Sequence, residues 1–170
     1  SEKDFKVEGD FIRFGLAAVK NVGIAAVDAI LASREEEGVF SSLMDFCRRV
    51  DLRFLNRRVL ESLIKSGAFD GLGVGRAQVM AALEIVLESA AREQRSISVG
   101  QGSLFGAEES AESALPLPEV PDWEERDRLA FEKEVLGFYI SGHPLDGCAK
   151  VIKRFTNMDS RRLTEVAGAR

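Results

Sequence analysis

The sequence predicts a mostly α-helical fold, and three observations support this prediction. First, apolar residues recur at helical spacing through most of the first 93 residues. Second, residues 16–30 and residues 60–83 each have the pattern of a helix, a glycine-bearing turn and a second helix. Third, residues 94–121 are rich in serine, glycine, glutamate and proline, a composition typical of mobile linkers. We therefore predict a tandem helix-hairpin-helix module with a small N-terminal β-hairpin, a flexible acidic linker and a C-terminal helical segment.

The predicted fold divides the chain into four parts. The tandem module occupies residues 1–93, the linker residues 94–121 and the helical segment residues 122–155, and residues 156–170 resemble the truncated start of a further domain. With 170 residues, of which 45% are hydrophobic, the chain is long enough to bury a core.

The first hairpin unit follows a short β-hairpin that turns at Gly9-Asp10 within residues 4–13. Its own turn is Asn21-Val22-Gly23, and both Asn21 and Gly23 tolerate a positive φ angle. The helix after this turn is predicted to run from Gly23 to Arg34, before Glu35-Glu36-Glu37-Gly38.

Helix boundaries in the remainder follow from capping residues. Ser41 or Ser42 is expected to cap a helix from Leu43 to Arg49, and Asn56 a helix from Arg57 to Ser66 that Gly67 closes. A long helix is predicted from Gly75 to Glu93. Asp122 is expected to cap a helix from Trp123 to Tyr139, and a short helix is predicted between Leu145 and Phe155.

Charge and composition limit the possible functions. The net charge is −5, but residues 101–135 alone carry −7, so the predicted hairpin module is nearly neutral.

Cys47 and Cys148 form no CxxC pair and are interpreted as reduced thiols of a cytoplasmic protein; with the single His143 they do not make a zinc site. No apolar run is long enough to cross a membrane. The common nucleotide-binding and nucleophile motifs are also missing, so no catalytic residues are predicted.

The first hairpin predicts a phosphate-binding site. A helix that begins after a tight turn presents free backbone N–H groups, which bind phosphate without regard to base sequence. An ordinary helix corner is the alternative interpretation of this pattern. The candidate DNA-binding residues here are Lys20, Asn21, Val22, Gly23 and Ile24.

A basic cluster within residues 48–65 provides further candidate DNA contacts. Its six cations could share one side of two short helices, although a run of charges is often only a solvated surface. They are Arg48, Arg49, Arg53, Arg57, Arg58 and Lys65.

A short apolar sequence within the linker predicts a contact with a partner protein. Leu104 and Phe105 lie in an acidic, polar segment that offers no core in which to bury them. Such a pair can anchor a peptide in a pocket of a partner, with Gln101 fixing the register. The candidate binding residues are Gln101, Gly102, Ser103, Leu104 and Phe105.

Four stretches together resemble the C-family replicative polymerases, the alpha subunits of bacterial DNA polymerase III. They cover nearly the whole chain in order, and the last is the most distinctive. They are Ile12–Gly23, Asp45–Asp51, Asn56–Asp70 and Phe131–Asp146.

The resemblance implies a role in processive replication. The family's tandem helix-hairpin-helix module contacts duplex DNA as it leaves the active site, which would place Lys20–Ile24 at the phosphate backbone. Gln101, Ser103, Leu104 and Phe105 would match the family's Gln-x-x-Leu-Phe motif for the beta sliding clamp. The catalytic aspartates and their Mg²⁺ belong to the palm domain, so this segment is expected to have no cofactor and no polymerase activity. Residues 156–170 would be the truncated start of the OB-fold domain that follows in the family. Other partners would be the remaining domains of the polymerase and the other holoenzyme subunits.

Two alternatives remain at this stage. A DNA-repair enzyme of the helix-hairpin-helix class would need a base pocket and a catalytic Lys or Asp beyond the hairpin, where Asp28 stands without a matching set. A protein-only adaptor would never bind DNA, and a titration with duplex DNA would identify it.

Overall fold

The computed structural model of the chain describes residues 1–98, 117–156 and 162. A two-stranded antiparallel sheet precedes a set of helices, as the sequence predicts. The strands are β1 (Lys6–Glu8) and β2 (Phe11–Arg13), and the α-helices are α1 (Ile24–Glu37), α2 (Leu43–Arg49), α3 (Arg57–Lys65), α4 (Arg76–Ser98), α5 (Glu125–Leu136) and α6 (Ala149–Phe155). Single turns of 3₁₀ helix cover Leu16–Ala18, Asp70–Leu72 and Asp146–Cys148.

The core lies where α2, α3 and α4 pack together, and α5 adds to it by packing on α3. The apolar face that helical spacing predicts for α3 is buried in it, whereas Ala81 and Ile85, predicted to lie on the apolar face of α4, are exposed. Among the most completely buried side chains are Leu55, Leu60, Leu63, Ile64 and Leu83. Helices α3 and α4 therefore lie at the centre of the packing, since α4 contacts α2 and α3 while α3 contacts α4 and α5.

The predicted caps of α2 and α3 are confirmed. Ser42 Oγ accepts a hydrogen bond of 3.0 Å from the N–H of Asp45, and Asn56 Oδ1 accepts one of 3.0 Å from the N–H of Val59. Each bond satisfies an N–H group that has no partner inside its helix.

The predicted cap of α5 is wrong. Helix α5 begins after Glu124, which makes no side-chain capping bond. Asp122 instead accepts a hydrogen bond of 3.2 Å from the N–H of Ala77, in the first turn of α4. The carboxylate therefore caps a helix 45 residues earlier in the chain, a tertiary contact that local sequence does not reveal.

Helix α1 ends three residues later than predicted, at Glu37, and Gly38 follows with a φ of +83°. Carboxylates in the last turn oppose the helix dipole. The guanidinium of Arg49 offsets them, because it donates hydrogen bonds of 2.8 and 2.9 Å to the carbonyls of Ser33 and Gly38.

Candidate nucleic-acid interface

The first hairpin is a tight turn fixed by two buried valines. It connects the 3₁₀ turn Leu16–Ala18 to α1, and the side chains of Val19 and Val22 point into the core. Between them, Lys20 and Asn21 remain exposed. The predicted first helix of this unit is thus a single 3₁₀ turn.

Asn21 provides the positive φ angle of the turn, at +67°. Its side chain also donates a hydrogen bond of 3.0 Å to Ser62 Oγ on α3. A glycine could adopt the same backbone conformation, but it could not tie the hairpin to α3. Gly23 also tolerates a positive φ angle but does not adopt one, because its φ is −75° and its ψ is 155°.

Gly23 leaves the N-terminus of α1 open. It is the residue before the first turn of the helix, it provides no capping side chain, and Ile24, Ala25 and Ala26 follow without an acidic residue. A Cβ atom built on Gly23 would meet no atom within 4 Å. The first N–H groups of α1 therefore face an accessible surface where an anion can bind, next to the exposed Lys20.

Helix α5 supports this hairpin from its inner side. The backbone N–H of Lys20 donates a hydrogen bond of 2.8 Å to the carbonyl of Val135, in the last turn of α5. One residue earlier, Glu134 forms an ion pair of 2.8 Å with Lys65 on α3. The segment that follows the predicted linker is thus part of the same packed unit as the hairpin.

Most cations of the basic cluster are paired within the chain. Arg48 bonds Glu93, Arg53 bonds Asp51, and Lys65 bonds Glu134, all within hydrogen-bonding distance. Arg57 contacts two carboxylates, those of Glu61 at 2.8 Å and Glu84 at 3.7 Å. These contacts reduce the positive potential that the cluster can present to phosphate.

Arg49 and Arg58 differ most within the cluster, because Arg49 is mostly buried and bonded within the chain while Arg58 is exposed. The side chain of Arg49 is only 10% exposed, and its guanidinium lies 4.4 Å from the ring of Phe40 while it bonds the end of α1. Arg58 is exposed and forms no ion pair within the part of the chain that the structure describes. Lys20 is likewise exposed and forms no ion pair among the described residues.

The second hairpin unit, between α3 and α4, differs from the first in that an acidic side chain caps its second helix. Gly67 ends α3 with a φ of +79°, and a Cβ atom there would lie 2.3 Å from Arg76. At the start of α4, the carboxylate of Asp122 already accepts from the N–H of Ala77. Of the two hairpins, only the first therefore presents an uncapped helix N-terminus.

A buried ionic network, which the sequence did not reveal, joins the second hairpin unit to α5. Arg76 forms two hydrogen bonds with the carboxylate of Asp70, at 2.8 and 2.6 Å, and a third of 2.9 Å with the fully buried carboxylate of Glu132. The other oxygen of Glu132 accepts from the N–H groups of Ile140 and Ser141. Glu132 lies on the apolar face of α5 between Leu129 and Leu136, and a carboxylate in that position is a signal of a buried partner.

The network determines the ionisation of Glu132. Burial by itself raises the pKa of this carboxyl group, because it disfavours the charged form. The two backbone N–H donors and the guanidinium of Arg76 outweigh that effect, so the pKa lies below the ordinary 4.5. Glu132 is therefore charged at neutral pH.

The described residues provide little for catalysis. Across residues 1–98 and 117–156, no three His, Cys, Asp or Glu side chains gather where they could hold a metal ion. Burial raises the pKa of the Cys47 thiol to about 12, which makes it a weak nucleophile. His143 Nδ1 accepts a hydrogen bond of 3.2 Å from the N–H of Leu145, in the loop after α5.

Two further predictions concern clamp binding and membrane-spanning helices. Gln101, Gly102, Ser103, Leu104 and Phe105 lie outside the described residues, so the clamp-binding assignment stays a prediction. As for membranes, none of the helices that the structure describes combines the length and apolarity needed to cross one.

Comparison with known proteins gives a consistent result. A protein family described as a helix-hairpin-helix motif matches residues 1–79. Proteins named DNA polymerase III subunit alpha match most of the chain. The relative from Neisseria meningitidis serogroup B is 40% identical over 152 residues, covering 89% of this chain and 13% of the relative. The relative from Vibrio cholerae is 40% identical, and the match covers 94% of this chain and 14% of the relative. The relative from Deinococcus radiodurans is 46% identical, and the match covers 86% of this chain and 11% of the relative. The chain thus spans about one seventh of the length of such relatives.

Proposed function

The chain belongs to the family of bacterial DNA polymerase III alpha subunits, and from that membership we propose that it is the segment that tethers a replicative polymerase to DNA. In this proposal the chain binds the backbone of duplex DNA through its first hairpin and the beta sliding clamp through Gln101–Phe105. It has no catalytic role of its own. The Mg²⁺ ions and the catalytic aspartates of polymerisation belong to other parts of the polymerase, which acts in the bacterial cytoplasm.

The open N-terminus of α1 carries the DNA part of the proposal. Gly23 exposes the first N–H groups of the helix and leaves room for a phosphate oxygen to approach them. Lys20 lies beside this position and Arg58 is exposed on α3. Contacts of this kind recognise phosphate and not base edges, which is what a polymerase that moves along DNA requires.

Weak contacts suffice when they are combined. The net charge of −5 and the many internal ion pairs indicate that the hairpin alone binds DNA weakly. A clamp that encircles the duplex would raise the local concentration of the polymerase at the primer end. Modest affinity for DNA and for the clamp would then add up to processive synthesis.

The DNA-binding part is tested by fluorescence anisotropy with a labelled duplex at low and moderate salt. We expect weak binding that does not depend on base sequence and that falls as salt increases. Undetectable binding at low salt would favour the protein-only adaptor. A glycosylase assay on damaged duplex covers the repair-enzyme alternative, for which activity would contradict the proposal.

The clamp-binding part needs a separate titration of the chain against the beta sliding clamp. We expect saturable binding that does not require DNA. An adaptor for other proteins would fail this test even if it bound DNA. The two titrations therefore test each half of the proposal independently.

A further inference from the structure

The N-terminal β-hairpin has one apolar face that covers nothing within the described chain. Val7 pairs with Ile12 across the two strands, so their side chains lie on the same face. Lys6, Glu8, Phe11 and Arg13 lie on the opposite face, where Glu8 and Arg13 form an ion pair of 2.6 Å. Both faces are exposed, but the face of Val7 and Ile12 is wholly apolar, whereas the other is mostly charged.

The apolar face continues onto the loop after α5. The ring of Phe14 contacts that of Phe5 at 4.5 Å between centroids, and that of Phe138 at 6.4 Å. Ile140 follows Phe138 in the same loop and is also exposed. We call this surface the apolar strip, and its exposed members are Phe5 (54%), Val7 (74%), Ile12 (73%), Phe138 (62%) and Ile140 (55%).

An exposed apolar surface of this kind is typical of a site that binds another protein surface. Single exposed apolar residues are normal, but a contiguous apolar surface on a two-stranded hairpin marks an interaction site. A hairpin of three-residue strands is also marginally stable unless its apolar face packs against something. The structure therefore places an unsatisfied interface at this position.

We propose that the apolar strip is an interdomain interface, covered in the intact polymerase by an apolar surface of another domain of the same polypeptide. The inference rests on the part of the proposed function that makes this chain a segment of a longer polymerase. Its relatives are about seven times as long as the matched segment, so most of their polypeptide lies outside it. Domains of one polypeptide are held at high local concentration, which favours burial of such a surface within the chain.

The chemistry of the strip argues against nucleic acid as its occupant. Val7, Ile12 and Ile140 have no aromatic ring on which a base could stack, and the rings of Phe5 and Phe138 each pack edge to face against that of Phe14. The nearest cations of the hairpin are on the other face, where Arg13 bonds Glu8 and Lys6 bonds Glu2. The strip is therefore suited to an apolar protein surface.

The test compares amide hydrogen exchange of residues 5–14 in the 170-residue chain and in the full-length polymerase. We expect exchange at least about tenfold slower in the full-length polymerase, because the interface would stabilise the hairpin there. Equal exchange in the two proteins would overturn the proposal. DNA binding is not involved in this measurement, so its failure and that of the proposed DNA contact can be told apart.

A pair of substitutions makes the test specific. Ile12→Glu should leave the melting temperature of the 170-residue chain nearly unchanged, but it should speed the exchange of residues 5–14 in the full-length polymerase to that of the chain alone. Ile85→Glu is the matched control, since Ile85 is exposed on α4 away from the hairpin strands; it should leave that exchange slow. Sedimentation of the chain tests the other occupant: a dimer that Ile12→Glu dissociates would assign the strip to a second copy and overturn the proposal.

Discussion

Arg76 and Glu132 form a buried ion pair of 2.9 Å although 56 residues separate them in the sequence. The pair joins the start of α4 to the middle of α5, and Glu132 also fixes the loop after α5 through Ile140 and Ser141. One turn after Glu132, the carbonyl of Val135 accepts from the N–H of Lys20. The ionic network therefore positions the helix on which the candidate DNA-binding hairpin rests.

Glu132→Gln should destabilise the fold. The substitution removes the charge partner of a buried guanidinium, which typically costs about 3–5 kcal/mol, and we expect the lower end because Asp70 still pairs with Arg76. Urea denaturation of the 170-residue chain measures the effect. Glu134→Gln, which breaks an exposed pair with Lys65, is the control and should cost about 1 kcal/mol or less.

The same carboxylate should make stability depend on acid pH. Because the pKa of Glu132 is lower in the folded chain than in the unfolded chain, its contribution is complete above about pH 4.5 and is lost as the pH falls through the folded-state value. The Glu132→Gln variant should therefore lose less stability than the wild type between pH 5 and pH 3. Parallel loss in both proteins would mean that Glu132 titrates normally.

Asn21 should tolerate glycine better than alanine. Alanine at a φ of +67° costs about 1 kcal/mol or more of backbone strain and also loses the hydrogen bond to Ser62. Glycine loses the bond but adopts the angle freely. In thermal denaturation, the wild type should be the most stable, the Asn21→Gly variant less stable and the Asn21→Ala variant the least stable. Equal stability of the two variants would contradict the role assigned to the positive φ angle.

Arg49 and Arg58 should separate fold stability from DNA affinity. Arg49→Gln should lower the free energy of unfolding by about 2–3 kcal/mol, because it removes charged hydrogen bonds to the end of α1. Arg58→Gln should change stability by less than about 0.5 kcal/mol. In DNA titrations, the slope of the logarithm of the binding constant against the logarithm of the salt concentration should be smaller in magnitude by about one in the Arg58 variant, which corresponds to the loss of one phosphate contact. An unchanged salt dependence would exclude Arg58 from the interface.

Leu104 and Phe105 should anchor the clamp. Replacing both with Ala should weaken clamp binding by at least about 100-fold, because anchor residues of this kind carry most of the energy of a short peptide. Leu115→Ala, another leucine of the predicted linker, is the matched control and should bind normally. Surface plasmon resonance against immobilised clamp measures both variants, and the helical circular-dichroism signal should stay unchanged. Retained binding by the double variant would refute the assignment.

Local sequence was sufficient for most helices and for the caps of α2 and α3, but not for the pairing of charges. Ser42 and Asn56 act within their own helices, so their caps could be predicted from neighbouring residues. Arg48 finds Glu93 across 45 residues and Lys65 finds Glu134 across 69. Contacts of that range depend on packing, and for this reason a basic cluster in the sequence became a largely neutralised surface in the fold.

Local sequence also predicts some features of the candidate site but not others. The turn at Asn21 and the opening of α1 after Gly23 follow from residue types that are known for these positions. The support of the hairpin by α5 does not, because the contact between Lys20 and Val135 joins residues far apart in sequence and depends on how α5 packs. Glu132 was nevertheless detectable as a carboxylate on an otherwise apolar helix face.

The most direct test of the proposed DNA contact is the Gly23→Asp variant. An aspartate at this position would cap α1 with its own carboxylate, which should raise the free energy of unfolding by a few tenths to about 1 kcal/mol. The same carboxylate would occupy the N–H groups and repel phosphate. Stability and DNA affinity should therefore change in opposite directions.

The measurement is a fluorescence-anisotropy titration of Gly23→Asp, Ile85→Glu and wild-type chain with one labelled duplex at low salt. Ile85→Glu adds the same charge on an exposed position of α4 and should bind like the wild type. We expect Gly23→Asp to bind at least about tenfold more weakly than both, although it is the most stable of the three. Wild-type affinity in the Gly23→Asp variant would contradict the assignment of this hairpin as the DNA contact.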